Sequence, residues 1–185
     1  MGTVSNERTL WEDSAIQEKR KKAEDICMDF LRANPGTLEL VDARECRVLQ
    51  DVDADCVWHL YDGTVHLAEI KSDTHLGTSG KVLFEVLRIN YGKGRNCCTL
   101  GWAARSPAEW LLYYAPKVGG IYVCRFSDLR RCFQAYAKSA RRETDIRFVD
   151  TDQIKGTVNV LIPWRWCKAC FRVYDAETFE KRVAP

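Results

Sequence analysis

Asp55, Glu69 and Lys71 are the residues of this 185-residue chain whose types and spacing could do chemistry together. Glu69-Ile70-Lys71 lies in a run that reads as a β-strand, and strand alternation places Glu69 and Lys71 on one face. Two carboxylates and a lysine on one face suit phosphoryl chemistry. Hard oxygen ligands favour Mg²⁺ or Mn²⁺, which keeps part of its water shell and bridges to a phosphate. The lysine would orient or help deprotonate the attacking water and face the phosphate. A Glu-X-Lys triplet on a strand is more often a solvated face. Here Val65 and Leu67 precede it and Ala68 and Ile70 flank Glu69, so the strand reads as buried on both sides. Buried charges require partners or a metal.

Whether Asp55 meets Glu69 is a question of register. A two-residue loop at Asp62-Gly63 pairs Cys56 with Glu69 and sends Asp55 to the other face. A three-residue loop, Tyr61-Asp62-Gly63, pairs Leu60 with Thr64 and Asp55 with Glu69. The longer loop wants a glycine in the left-handed conformation at its last position, which Gly63 supplies. Asp53 shares the face of Asp55, so the first metal ligand stays open between them. Glu24 lies at the edge of the apolar stripe of the first helix and is placed to approach the sheet as an accessory ligand.

The elements that must position these groups follow from periodicity. A helix is predicted over Glu7–Ala33, with Ala23, Ile26, Cys27, Phe30 and Leu31 as its apolar stripe and Asn34-Pro35-Gly36 as its stop. Strands are predicted at Leu38–Val41, Cys46–Leu49, Cys56–Leu60, Thr64–Lys71 and Val82–Leu87. Ser106-Pro107-Ala108-Glu109 carries helix-start chemistry and predicts a second helix through Trp110, Leu111 and Tyr114. Strand Ile121–Phe126 and a helix capped by Ser127 come next, then strands Ile146–Val149 and Thr157–Ile162 and a weakly structured tail. The expected class is α/β: a mixed central sheet in the order helix–three strands–helix–strand, with helices on both faces. Residues 1–145 form the core, and 146–185 add C-terminal strands and a tail to the same domain.

The formal net charge of +2 leaves any polyanion to local patches. Lys93 and Arg95 in Tyr91-Gly-Lys-Gly-Arg-Asn96, with Lys81 and Arg88 beside them, are the candidate backbone contacts. Arg130, Arg131, Lys138, Arg141 and Arg142 on the third helix read as a solvated face. No stretch reaches the length of a membrane helix and the N-terminus has no signal-peptide core, so the chain is expected in the cytoplasm. Its nine cysteines are scattered through apolar segments and read as reduced thiols. Cys167 and Cys170 have the spacing of half a zinc site; Cys97-Cys98 is an awkward second half, and His59, His66 and His75 show no matching spacing.

Asp55 followed by Glu69-Ile70-Lys71, within this order of elements, resembles the PD-(D/E)XK nuclease superfamily over about residues 15 to 135. The chain lacks a proline before the aspartate, as many members do. Glu24 in AEDICMDFL matches the glutamate common on the first helix of these enzymes. Glu85 on a strand before Gly101-Trp102 resembles small phage or plasmid-type members. The resemblance implies a restriction-endonuclease-like core and a Mg²⁺- or Mn²⁺-dependent nuclease hydrolysing phosphodiester bonds in DNA. Asp55, Glu69 and Glu24 would hold metal and Lys71 would attend the water. Some exonucleases of the superfamily hold an iron–sulfur cluster with one early and three late cysteines, a pattern this chain has only in part. A homodimer is one arrangement among resolvase-like relatives. A catalytically inactive module that keeps the fold and binds nucleic acid or protein is the alternative.

Overall fold

The computed structural model of the chain describes residues 7–73, 76, 79–90, 97–139, 146–152 and 155–182. Helix α1 (Glu7–Ala33) ends where the sequence predicts; Asn34 Oδ1 accepts from the Gly36 amide at 2.9 Å and closes the turn. Strands β1 (Thr37–Asp42), β2 (Cys56–Leu60) and β3 (Val65–Ser72) then form an antiparallel set. The β2–β3 register pairs Cys56 with Ala68 and Val57 with Leu67. The Leu60 amide donates to Thr64 O at 2.9 Å, and Gly63 takes φ +82°. The turn therefore has three residues and Asp55 falls opposite Glu69.

Beyond β3 the chain leaves this sheet. It runs through β4 (Lys81–Asn90), β5 (Cys97–Leu100) and the short helix α3 (Trp102–Arg105), then returns as β6 (Trp110–Ala115), parallel to β3. Strand β7 (Gly120–Arg125), helix α4 (Phe126–Ser139), β8 (Ile146–Asp152) and β9 (Lys155–Pro163) follow. A short helix α5 (Trp164–Cys167), a 3₁₀ turn (Lys168–Cys170), β10 (Arg172–Asp175) and β11 (Lys181–Arg182) complete the described chain. Two sheets result. One has seven strands in the order β1-β2-β3-β6-β7-β10-β11, mixed because of the parallel β3–β6 pair; the other has four, β5-β4-β9-β8.

Three sequence expectations change. The predicted helix from Ser106 is instead strand β6. Ser106 Oγ does accept from the Ala108 amide at 3.1 Å, so the capping signal is real, but it closes a turn. The following Trp-Leu-Leu-Tyr-Tyr is apolar on both faces, and Leu111, Leu112 and Tyr113 are all buried, which a central strand satisfies and a one-faced helix would not. The predicted strand at Cys46–Leu49 is a single helical turn, α2 (Arg47–Gln50). The predicted weak tail supplies β10, paired with β7 inside the large sheet.

Each face of the large sheet is covered. Cys27, Met28 and Leu31 of α1 pack on Cys56, Ala68, Ile70, Leu112 and Ile121. The opposite face presents Leu111, Tyr113, Tyr122 and Cys124 to Val82, Phe84, Trp102, Phe126, Leu129 and Ile162. Tyr113 joins the two sheets, its hydroxyl donating to Leu83 O. Among the described residues no helix is long and apolar enough to cross a membrane.

Candidate functional site

Ala68 and Ile70 point into the α1 side of the core, so Glu69 between them and Lys71 after it point to the other side. Ala68, Glu69 and Ile70 are all buried, as the apolar flanks predict. Glu69 is 1% exposed. Lys71 Nζ donates to Glu69 Oε1, while Glu69 Oε2 is buried and has no hydrogen-bond partner among the described residues. Burial pushes the Glu69 carboxyl up to about 8; the Lys71 charge opposes the rise and Asp55 adds to it. The Lys71 ammonium lies 5.3 Å from the centroid of the Trp102 ring, which holds the cation against an apolar wall.

Asp55, 2% exposed, is fixed by its neighbours. One oxygen accepts from the Ile70 amide at 2.8 Å and the other from Gln50 Nε2 at 3.3 Å. Asp53 lies in the preceding turn at φ +55° and is bound by Arg105 Nε at 2.8 Å and by Arg88 Nη2 at 3.5 Å. Both aspartates line the same cleft, but Asp53 already has two arginines. Among the described residues Asp55 has only neutral hydrogen-bond donors.

That cleft has a volume of about 690 Å³. Lys19, Arg20 and Glu24 line it from α1, Glu69 and Lys71 from β3, and Glu85, Arg88 and Trp102 from the crossover. A second cleft of about 770 Å³ shares Arg20, Glu24 and Gln50 with it and continues to Arg44. Glu24 is where the helix projection puts it, yet its partners are cations: Arg20 Nε at 2.7 Å and Arg44 Nη1 at 3.4 Å. Of the candidate substrate contacts, Arg88 is in the cleft, held at 2.6 Å by Glu85 Oε1, and Lys81 is at the opposite end of β4. Lys93 and Arg95 lie outside the described residues, as do His75, Arg141 and Arg142. Arg130 is structural, donating to Ala103 O at 3.0 Å and to Ser106 O.

Lys19, Arg20, Gln50, Trp102 and Arg105 are the members of this site that sequence reasoning passed over. On the helix, Lys19 and Arg20 look like any solvated pair. The one available signal was Gly101-Trp102 after a glutamate strand. A Cβ on Gly101 would fall 2.5 Å from Glu85 O, so only glycine lets the turn close on the β4 bulge at Glu85–Leu87.

A hard divalent cation fits the Asp55–Glu69 donor set. Both groups are oxygens on buried carboxylates, and among the described residues Glu69 Oε2 has no hydrogen-bond partner. Among the described residues no three Asp, Glu, His or Cys side chains already converge as a ligand set. Water or a substrate oxygen would complete the coordination, as Mg²⁺ commonly accepts. Among the described residues Cys167 and Cys170 form no metal-binding group with Cys97 and Cys98; the thiol at Cys170 meets Cys132 of α4.

No family model matches the sequence, and no curated protein matches it. A bacterial homing endonuclease of known structure matches over 60% of this chain and 69% of its own, at 14% identity and a TM-score of 0.43.

Proposed function

We propose that this protein is a divalent-metal-dependent phosphodiesterase acting on DNA. The observation that carries the reading is the buried Glu69 carboxylate, one oxygen on Lys71 and the other unpartnered, opposite the fixed carboxylate of Asp55. Asp55 and Glu69 would hold Mg²⁺ or Mn²⁺. Such an ion, when bound, supplies neutralising charge at a phosphoryl group and makes water a stronger acid. The chain's own residues do the rest. Lys71 orients a water against the phosphorus, its position limited by Trp102. Arg20, Lys19 and Arg88, which line the cleft beside the carboxylates, bind the flanking phosphates. Glu24 holds Arg20 toward the cleft and would serve the metal as an accessory ligand.

The test is cleavage of single-stranded, duplex and branched DNA, and of RNA, with Mg²⁺, Mn²⁺ or EDTA. Metal-dependent loss of a DNA substrate that Lys71→Ala abolishes supports the proposal. Metal-independent cleavage, or none on any substrate, contradicts it. A second reading is a non-catalytic module that binds nucleic acid with the same cleft. The observation favouring it is that Lys71 already caps Glu69 and two arginines already hold Glu24. Under that reading DNA is retained without cleavage and neither Mg²⁺ nor Mn²⁺ changes it.

A further inference from the structure

Four cysteines that the cleft does not use lie near one another where α4 meets β7 and the C-terminal turn. Cys124 is the residue before the last of β7, Cys132 is on α4, Cys167 ends α5 and Cys170 ends the 3₁₀ segment. Each of Cys124, Cys167 and Cys170 is close enough to the others, or to Cys132, to raise its proton affinity. Cys124 and Cys167 are buried at 1% and 0% exposure. Cys132 and Cys170 are only half-buried, and their sulfurs are 3.1 Å apart. A disulfide needs ~2.05 Å, so a small rotation about either side chain completes the approach. The two residues are 38 positions apart in sequence.

We propose that Cys132 and Cys170 are a disulfide-forming pair that staples α4 to the C-terminal turn. The oxidant is a small-molecule disulfide. The Cys170 thiolate attacks it, forming a mixed disulfide and expelling one small thiolate. The Cys132 thiolate then attacks the Cys170 sulfur, breaking the mixed bond and expelling the second. Two electrons pass from the two cysteines to the oxidant, and two protons leave with the thiols. Burial, reinforced by hydrogen bonding to Cys132, holds the Cys170 thiol up to about 12. Exchange is therefore slow at neutral pH and accelerates as pH rises, because only the thiolate attacks.

The staple joins two parts of the fold that meet where Tyr136 of α4 packs edge-on against Trp166 of α5. Helix α4 carries Phe126, Leu129 and Tyr136 into the main core, and through Arg130 it holds the carbonyls of Ala103 and Ser106 beside the cleft. The turn at Cys170 leads into β10, which pairs with β7 in the large sheet. The crosslink closes a loop that includes β8 and β9, so it restricts the unfolded chain.

The purified full chain is incubated with glutathione disulfide at pH 7 and pH 9, alkylated, and mapped by mass spectrometry after proteolysis. The expected result is a Cys132–Cys170 linked peptide that forms faster at pH 9, with a rise in Tm on the order of 5–10 °C reversed by dithiothreitol. Cys170→Ser and Cys132→Ser each abolish the linked peptide and the rise, while their reduced Tm stays near that of the reduced wild type. Recovery of both cysteines alkylated, a glutathione adduct that never closes, or a Cys167–Cys170 link would overturn the proposal. So would zinc retained at one ion per chain with these thiols protected by it. None of these readouts depends on the cleft.

Discussion

The Asp55 carboxylate accepts a 2.8 Å hydrogen bond from the backbone amide of Ile70, the residue between Glu69 and Lys71. One strand thus carries the second carboxylate and the lysine, and with its own backbone it aims the first carboxylate. A shift of one residue in the β2–β3 register would break this bond and turn Asp55 away. The three-residue turn at Gly63 is what prevents that shift.

Substitution at Asp55 separates charge from this bond. In Asp55→Asn the amide oxygen still accepts from Ile70, so thermal stability stays near wild type while cleavage falls on the order of 10²-fold or more. In Asp55→Ala the buried Ile70 amide loses its partner, which costs about 1–3 kcal/mol in addition to the activity. Urea denaturation of both variants beside a cleavage assay checks the split.

Glu69 makes stability depend on pH in an unusual direction. Its folded-state pKa of about 8 is above the 4.5 of an ordinary glutamate, so between those values the folded chain binds more protons than the unfolded one. Its contribution is complete below the unfolded value and is lost as pH rises toward 8, with a slope of at most ~1.4 kcal/mol per pH unit. Glu69→Gln lacks that slope, so its Tm gains on wild type across the window and the gain levels off above pH 8. Mg²⁺ at pH 8 to 9 restores the wild type and leaves the variant unchanged. Scanning calorimetry over pH, with and without Mg²⁺, reads each part.

In the proposed mechanism Lys71 would compete with a metal for Glu69. Lys71→Ala removes the ammonium that occupies Oε1, so Mn²⁺ binds at least as tightly as in wild type while cleavage falls by roughly 10²–10⁴-fold. Lys71→Arg keeps the charge with a different reach and recovers little activity. Paired titration calorimetry and single-turnover kinetics distinguish this from a variant that merely loses the metal.

Two glycines differ in what an added methyl meets. At Gly101 a Cβ falls 2.5 Å from Glu85 O, backbone that cannot move aside, and Gly101→Ala costs about 1–3 kcal/mol and displaces Trp102 from Lys71. At Gly63 the space is open and only the positive φ is strained, so Gly63→Ala costs about 1 kcal/mol and leaves cleavage unchanged. Tm and cleavage measured on both variants check the contrast.

The hairpin and the Glu69–Lys71 face were legible because they are local: turn chemistry and alternation set them within a few residues. The extent of α1 was legible for the same reason. The strand at Trp110–Ala115 was misread because Ser106-Pro107 is a valid local start signal, and only burial on both faces decides against a helix. The second sheet was not legible. Its β4–β9 ladder joins residues such as Phe84 and Val160, far apart in sequence, and no local pattern specifies that pairing. Lys19 and Arg20 were passed over because a helix face gains its meaning from the cleft beside it. Asp53 is the runner-up to Asp55 on sequence grounds, and no local pattern foretells that Arg88 and Arg105 hold it.

The most direct measurement is titration of Mn²⁺ into the purified protein at pH 8, in parallel with Asp55→Asn and Glu69→Gln. The account predicts saturable binding to the wild type, with protons released on binding, weakened on the order of tenfold or more in each variant. Wild-type protein that takes up no Mn²⁺, or variants that bind it as tightly as wild type, would contradict a cation held by Asp55 and Glu69.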